Sequence, residues 1–412
     1  MAKTLWGNIY YKDTYAGRLE EKPGNRYVFT YDASYLEAKQ PAIAYTLPLR
    51  TKPYISENGL HPFFDNLVAE GWLQDAQARA LGINTNNRFA LLLGFGFDLA
   101  GTVSVIDPDP QEHYQLNHID ETTLVALSSR ASLSGIQRKL LVVKDGKIFR
   151  PVGPNELSTH IAKLASGNHA ELLELEYLTT KACRTLLLND DVVEMKLVHL
   201  PSIQEDALII PRFDRSSTGK RSYHFEEFNQ LLGRTSGDDK YEGGYEEMGQ
   251  FIANTPGCVP AEAYRLLKRI LVCFLTGNTD AHFKNFAMFH TKDGLRLTPA
   301  YDLVCSSIYQ QYQAIALDVG GIRNLALGKL EAKHLLKLSI GFGIKEDMLL
   351  TIAETLKNRL PNALARVEKS SIGSNKLKDQ LIETMEKRWN GSFASIGQVL
   401  LKKRNSGAKH KS

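Results

Sequence analysis

The sequence predicts an α+β chain in which a strand-rich N-terminal half gives way to a helical C-terminal half. Three observations carry this. Short runs rich in aromatic and β-branched residues, separated by turn chemistry, recur up to residue 210. From residue 216 onwards the apolar residues return mostly at helical spacing. Between the two, the polar stretch 107–122 (Asp107-Pro-Asp-Pro, then Gln111-Glu-His) breaks the strand-rich half and marks a boundary. The expected division is an N-terminal unit 1–107, a second α+β unit 123–215, a helical unit 216–401 and a basic tail 402–412.

In the first unit, residues 5–11 and 26–31 read as strands of a hairpin-like meander, with Lys22-Pro23-Gly24-Asn25 as turn chemistry. From 62 to 81 the pattern is helical. Leu67, Trp72 and Ala76 are spaced for one face, and Gly82 is placed as a stop. Residues 91–106 are apolar and punctuated by glycine. Gly94-Phe-Gly96 lacks the third glycine and the Lys-Ser/Thr ending of a phosphate loop, so a strand and turn are expected there.

The second unit opens on Ser132-Leu-Ser-Gly-Ile-Gln-Arg-Lys139. Serine and glycine do not obstruct backbone N–H groups, so such a loop can approach phosphates; it is also a common turn. An Asp145-Gly146 turn between two apolar runs signals a hairpin. Residues 159–164 read as a strand in which Lys163 alternates with Ile161. Lys163 then faces a half-buried surface and needs an anion or a route to water. Asn168 is placed to cap a helix running to Leu187, with Glu176 inside it. A strand lysine followed by a helix glutamate is the pair that holds a kinase lysine on nucleotide phosphates. Strands at 192–200 and 207–210 lead into Pro211-Arg-Phe-Asp-Arg215, a segment that could link two lobes and face an adenine.

The helical unit is expected to hold helices at 225–232, 246–253 and 260–276, with a polar loop at 233–244. Gly277 ends the last helix. The next residues place Asp280, His282, Lys284 and Asn285 within six positions. A short hairpin follows (286–290, a Lys292-Asp293-Gly294 turn, 295–297), and then Asp302. An acid, an amide five residues later and a second acid after a hairpin is how phosphotransferases hold magnesium and orient a hydroxyl. Residues 330–401 are helical and charged, and the tail reads as solvated.

Composition narrows the function classes. With 412 residues, 43% hydrophobic and 23% charged, the chain is an ordinary globular protein of two or three domains. A net charge of +4 implies no dominant basic surface for nucleic acid. The four cysteines (Cys183, Cys258, Cys273, Cys305) lie far apart in apolar patterns and read as buried free thiols. The N-terminal residues lack the apolar run of a signal peptide, and no stretch reaches the ~18 apolar residues of a membrane span. A cytoplasmic protein with no membrane partner is expected.

With these residues in place, the chain resembles the HipA family of serine/threonine kinases, toxins of bacterial HipBA toxin–antitoxin modules. The motif Asn278-Thr-Asp-Ala-His-Phe-Lys-Asn-Phe286 and its partner Pro299-Ala-Tyr-Asp302 carry the resemblance. The Ser-x-Ser-Gly-x-Gln-x-Lys loop, the His-Ile-x-Lys strand and the Arg-Phe-Asp-Arg segment distinguish it from lipid kinases, which share a D-x-H-x-x-N core. Phe63-Phe-Asp-Asn-Leu-Val-Ala-Glu-Gly71 and Gly96-Phe-Asp-Leu-Ala-Gly101 extend the likeness into the N-terminal unit. The resemblance implies a bilobal protein-kinase-like fold with an additional N-terminal α+β subdomain and an all-helical C-terminal lobe.

It also implies roles. Asp280 is the catalytic aspartate; Asn285 and Asp302 bind Mg2+. Lys163 contacts the phosphates of ATP and pairs with Glu176. Pro211 and Phe213 offer hinge backbone to adenine, and Asp214 contacts ribose. Ser134 and Gly135 belong to the loop over the phosphates, Ser132 or Ser134 is the autophosphorylated residue, and His282 and Lys284 make supporting contacts. Two departures stand out. Pro211 occupies a position where relatives often carry an acid, and it offers no N–H. The second loop serine, Ser134, resembles the HipT branch, although HipT toxins lack the N-terminal unit.

By the same resemblance the substrate is a protein, an aminoacyl-tRNA synthetase with glutamyl-tRNA synthetase as precedent. The partner is a small DNA-binding antitoxin of the HipB type, so that DNA is met only indirectly. A small-molecule or lipid kinase, and a pseudokinase acting as co-repressor, are the competing readings.

Overall fold

The structure, a computed structural model, describes residues 5–110, 121–128, 137–153, 155–165 and 171–400. They form two units. The first takes the residues up to 170 together with 194–240 and 289–291; the second takes 171–193, 241–288 and the residues from 292. The α+β class expected from the sequence is the one found.

The first unit is built on two five-stranded antiparallel sheets. One has the order Tyr54–Ser56, Arg26–Tyr31, Thr14–Lys22, Trp6–Tyr11, Val103–Ile106. Its meander has a strand more than the sequence suggests: Thr14–Lys22 lies between the two expected ones, and the Lys22-to-Asn25 turn joins it to the third. Phe29, Tyr31, Phe64 and Phe89 lie in the core on this sheet, each buried ring contributing about 1.5–3 kcal/mol.

Two expectations here are corrected. The single helix 62–81 is two helices, Pro62–Asp65 and Gly71–Leu81. The Asn66 side chain donates to the Pro62 and Arg234 carbonyls at 2.8 Å, closing the first helix early, and Gly71 restarts the chain at φ +57°. Gly82, at φ +64°, ends the second helix as expected. Gly94 lies inside a helix, Arg88–Phe95, and not in a strand or turn. The apolar run 89–95 is long enough for either element, and period alone does not separate a buried strand from a buried helix.

The second sheet has the order Ile148–Pro151, Lys139–Asp145, His160–Leu164, Glu205–Pro211, Lys196–Leu200. The expected hairpin at Asp145-Gly146 is present, with Asp145 opposite Ile148 and Gly146 at φ +59°. A helix Glu121–Ser128 precedes this sheet.

The second unit is mainly helical. Leu172–Leu186 packs on the long helix Glu346–Glu368, and Tyr245–Asn254 packs on Pro260–Leu275. Glu171, at φ +57°, occupies the cap of the first of these, and Asn168, expected as the cap, lies outside the described residues. Of the residues spaced for an apolar face in Pro260–Leu275, Leu267, Ile270, Leu271 and Phe274 are buried and Tyr264 is half-buried. The expected helix 225–232 is instead a strand, Phe225–Glu227, followed by one helical turn, Phe228–Leu231, in the first unit. The strand Ala287–Thr291 is counted with the first unit from residue 289 onwards. Cys183, Cys273 and Cys305 are buried free thiols, and Cys258 is half-buried. Among the described residues no helix is long and apolar enough to cross a membrane.

Candidate active site

The site grows from the end of the helix Pro260–Leu275. Gly277 leaves it at φ +79°, and a Cβ there would lie 2.5 Å from Ser307 Oγ and 2.7 Å from Cys305 Sγ. Only glycine fits this turn. Its carbonyl accepts the Ser307 N–H at 3.0 Å. Asn278 then ties both acids into one frame. Its Oδ1 accepts the Asp280 N–H at 3.1 Å, and its Nδ2 donates to the Asp302 carbonyl at 3.3 Å. Thr279 is held by Ser306 Oγ on its N–H at 2.8 Å and by the Ala316 N–H on its carbonyl at 2.8 Å. Asn278 and Thr279 are 2% exposed, whereas Asp280 is exposed. A solvent-reachable carboxylate thus stands on an immobilised backbone.

Past Asp280 the chain is fixed again. The fully buried Tyr245 donates its hydroxyl to the Ala281 carbonyl at 2.8 Å. His282 starts the 3₁₀ turn Phe283–Asn285: its Nδ1 accepts the Lys284 N–H at 3.3 Å, while Asn285 Oδ1 accepts the His282 N–H at 3.2 Å. Lys284 is buried, and its carbonyl accepts the Tyr301 hydroxyl at 2.7 Å. Asn285 Nδ2 donates to Asp302 Oδ2 at 2.8 Å. Asp302 itself sits at φ +56°, a left-handed conformation that costs a non-glycine residue free energy and collects at functional sites.

The expected metal pair is therefore brought together, and its chemistry fits magnesium. A carboxylate and an amide oxygen are hard donors of the kind magnesium takes; here Asn285 presents Nδ2 to Asp302 and Oδ1 to the His282 N–H, so it would turn its oxygen to the ion in place of this hydrogen bond. Asp280 belongs to the same frame through Asn278. His282 and Lys284 turn out to shape this frame.

The remaining site residues lie elsewhere in the chain. Glu176 is fully buried in the helix Leu172–Leu186 of the second unit. Lys163, in the strand His160–Leu164 of the first unit, is 4% exposed, and in the sheet register it stands directly opposite Lys139. Cross-strand partners share a face, so Lys139 and Lys163 lie on the same face of the sheet. Pro211 ends the strand Glu205–Pro211, exposed and opposite His160. The Phe213 ring meets those of Phe225 at 5.0 Å and Phe289 at 5.5 Å. Ser132, Ser134 and Gly135 lie outside the described residues.

Asp214 is buried in an ion network that its sequence context does not announce. Its Oδ1 accepts Arg212 Nε at 3.0 Å; its Oδ2 accepts Arg212 Nη2 at 2.7 Å, Arg215 Nη1 at 2.8 Å and the Gly101 N–H at 2.9 Å. Asp98 completes the network, with Oδ1 on Arg212 at 3.1 Å and Arg215 at 2.7 Å. Burial alone would raise the Asp98 carboxyl. The two guanidinium groups and the hydrogen bonds from Arg215 and Ser158 outweigh it and hold the group well below the usual carboxylate range. Asp214 thus braces the segment through Arg212, Arg215 and Gly101.

Among the described residues one other group has metal-ligand spacing: His224, Glu226 and His290, with ligand atoms within 4.8 Å of one another. Hydrogen bonding accounts for most of it. Glu226 Oε1 meets His290 Nε2 at 2.7 Å and accepts the Tyr45 N–H at 2.6 Å. The Thr102 N–H donates to His224 Nδ1 at 3.4 Å, which places the proton of the neutral ring on Nε2.

The acid–amide–acid frame defines a phosphotransferase-type site, and comparison with known proteins gives its family. Residues 131–364 match the family model of the HipA-like C-terminal domain, and residues 7–106 match that of the HipA N-terminal domain. The chain belongs to the HipA family of kinases. It is 27% identical to the serine/threonine-protein kinase toxin HipA of Shewanella oneidensis, over 89% of this chain and 90% of that one. It is 25% identical to a putative kinase of Sinorhizobium fredii, over 87% of this chain and 91% of the relative. The solved complex of Shewanella oneidensis HipA, HipB and operator DNA contains a chain matching this fold with a TM-score of 0.76 at 23% identity, covering 95% of this chain and 99% of that one.

Proposed function

We propose that this chain transfers the γ-phosphoryl group of ATP to a serine or threonine hydroxyl of a protein, as the toxin of a type II toxin–antitoxin module in the cytoplasm. The observation that carries the reading is the frame in which Asn278 holds an exposed Asp280 beside the Asn285–Asp302 pair. Magnesium, held by Asn285 and Asp302, would neutralise charge on the phosphates. Asp280 orients the substrate hydroxyl and accepts its proton. Lys163 lies on the triphosphate, oriented by Glu176, and the backbone near Pro211 and Phe213 meets the adenine. Positioning and charge neutralisation are what phosphoryl transfer chiefly requires.

The substrate expected by family precedent is an aminoacyl-tRNA synthetase, glutamyl-tRNA synthetase first, so that activity arrests translation and growth. A HipB-type antitoxin is the expected partner, and the similarity to Shewanella oneidensis HipA supports it. Ser132, or its neighbour Ser134, is the expected autophosphorylation site. A phosphate there brings about −1.5 to −2 charges beside those of ATP and expels the loop. Incubation of host extract with labelled ATP tests the reading. Label on a protein band, absent with Asp280→Ala, supports it; label confined to the small-molecule fraction points to a small-molecule or lipid kinase.

A further inference from the structure

Tyr241 donates its hydroxyl to Asp280 Oδ1 at 3.0 Å. Its ring packs edge-on against that of His282, with centroids 5.0 Å apart. The phenol thus reaches the exposed carboxylate of the candidate site. We infer that Tyr241 is a positioning residue for Asp280, an inference that rests on the kinase reading above. A carboxylate has two oxygens and about four acceptor sites. A phenol hydrogen-bonded to Oδ1 restricts the rotation of the group and so sets how it meets the incoming hydroxyl.

The surroundings favour positioning over a passing contact. The main chain on both sides of Asp280 is fixed by Asn278 and by the Tyr245 hydroxyl on Ala281, so the freedom left to Asp280 is rotation of its side chain. Tyr241 acts on that freedom. The His282 ring, itself held by the Lys284 N–H, gives the phenol a fixed wall. Tyr241 is distinct from the two acids and the amide: its effect passes through Asp280.

Tyr241→Phe isolates the hydroxyl, because the ring and its contact with His282 remain. A hydrogen bond to a charged group, lost only in orientation of the base, corresponds to about a tenfold lower kcat. Purified full-length wild-type and Tyr241→Phe proteins would be compared for kcat and KM on a protein substrate, for Mg-ATP affinity by calorimetry, and for thermal midpoint. The expected result is a kcat about tenfold lower with Mg-ATP affinity and midpoint unchanged. Tyr241→Ala, which also removes the ring, should fall further. A kcat for Tyr241→Phe equal to or above wild type, with wild type active, overturns the inference; a rise would mean that the phenol blocks the hydroxyl's place. If wild type and Asp280→Ala are equally inactive, it is the kinase reading that fails.

Discussion

The Asn285 side-chain amide and the Asp302 carboxylate meet at 2.8 Å across the hairpin that separates them in sequence. Neither residue reaches this position without backbone help. Asn285 ends a 3₁₀ turn capped reciprocally with His282, and Asp302 adopts a left-handed backbone at φ +56°. Asn278, bonded to the backbones of both Asp280 and Asp302, makes the two acids one rigid unit.

Asp302→Asn separates charge from backbone. Asparagine tolerates the left-handed conformation as well as aspartate does, so the fold should survive with its thermal midpoint nearly unchanged. The negative ligand is lost, and phosphoryl transfer should fall by about 100-fold or more. Kinase assays across a magnesium titration check this, with the midpoint measured on the same preparation.

Gly277→Ala should destabilise the second unit. The new Cβ meets Ser307 Oγ, Cys305 Sγ and Thr384 Cγ2 at 2.5–2.7 Å, and φ +79° strains any side chain. Overpacking and a left-handed alanine together suggest a cost of about 2–4 kcal/mol. Urea unfolding reads this as a lower midpoint at unchanged slope.

The buried network around Asp214 gives a pH dependence. Asp98 has a depressed carboxyl in the folded chain. Its stabilisation is therefore complete above the unfolded value of about 3.9 and is lost as pH falls through the lower folded value. Arg212→Ala, which leaves Asp98 and Asp214 short of a partner, should cost about 3–5 kcal/mol at neutral pH. Acid titration of unfolding in wild type and variant checks both, and the variant should unfold at higher pH.

Lys163→Met keeps the volume and removes a buried ammonium placed opposite Lys139. Without nucleotide, the variant should still unfold in one cooperative transition, since methionine fills the same space. The upward shift given to wild type by Mg-ATP should disappear. Thermal shift with and without Mg-ATP reads both outcomes.

Much of this was legible in the residues. The helix ending at Gly277, the following hairpin and Asp302 sit where local spacing puts them, because each is set by neighbours a few positions away. What was not legible depends on distant partners. The helix break at Asn66 needs the Arg234 carbonyl, and the burial of Asp214 needs Asp98 and Gly101, more than 100 residues earlier in the chain. Tyr241 stood in a polar loop with no local mark; its hydroxyl acquires meaning only where the fold sets it against Asp280.

The most direct measurement is expression of wild type against Asp280→Ala in the same host, scored for growth and by phosphoproteomics. A chain that arrests growth by phosphorylating a protein will arrest only as wild type, with new phosphoserine or phosphothreonine on a translation enzyme. Equal arrest by both, with no new phosphosite in either, would contradict a kinase centred on Asp280.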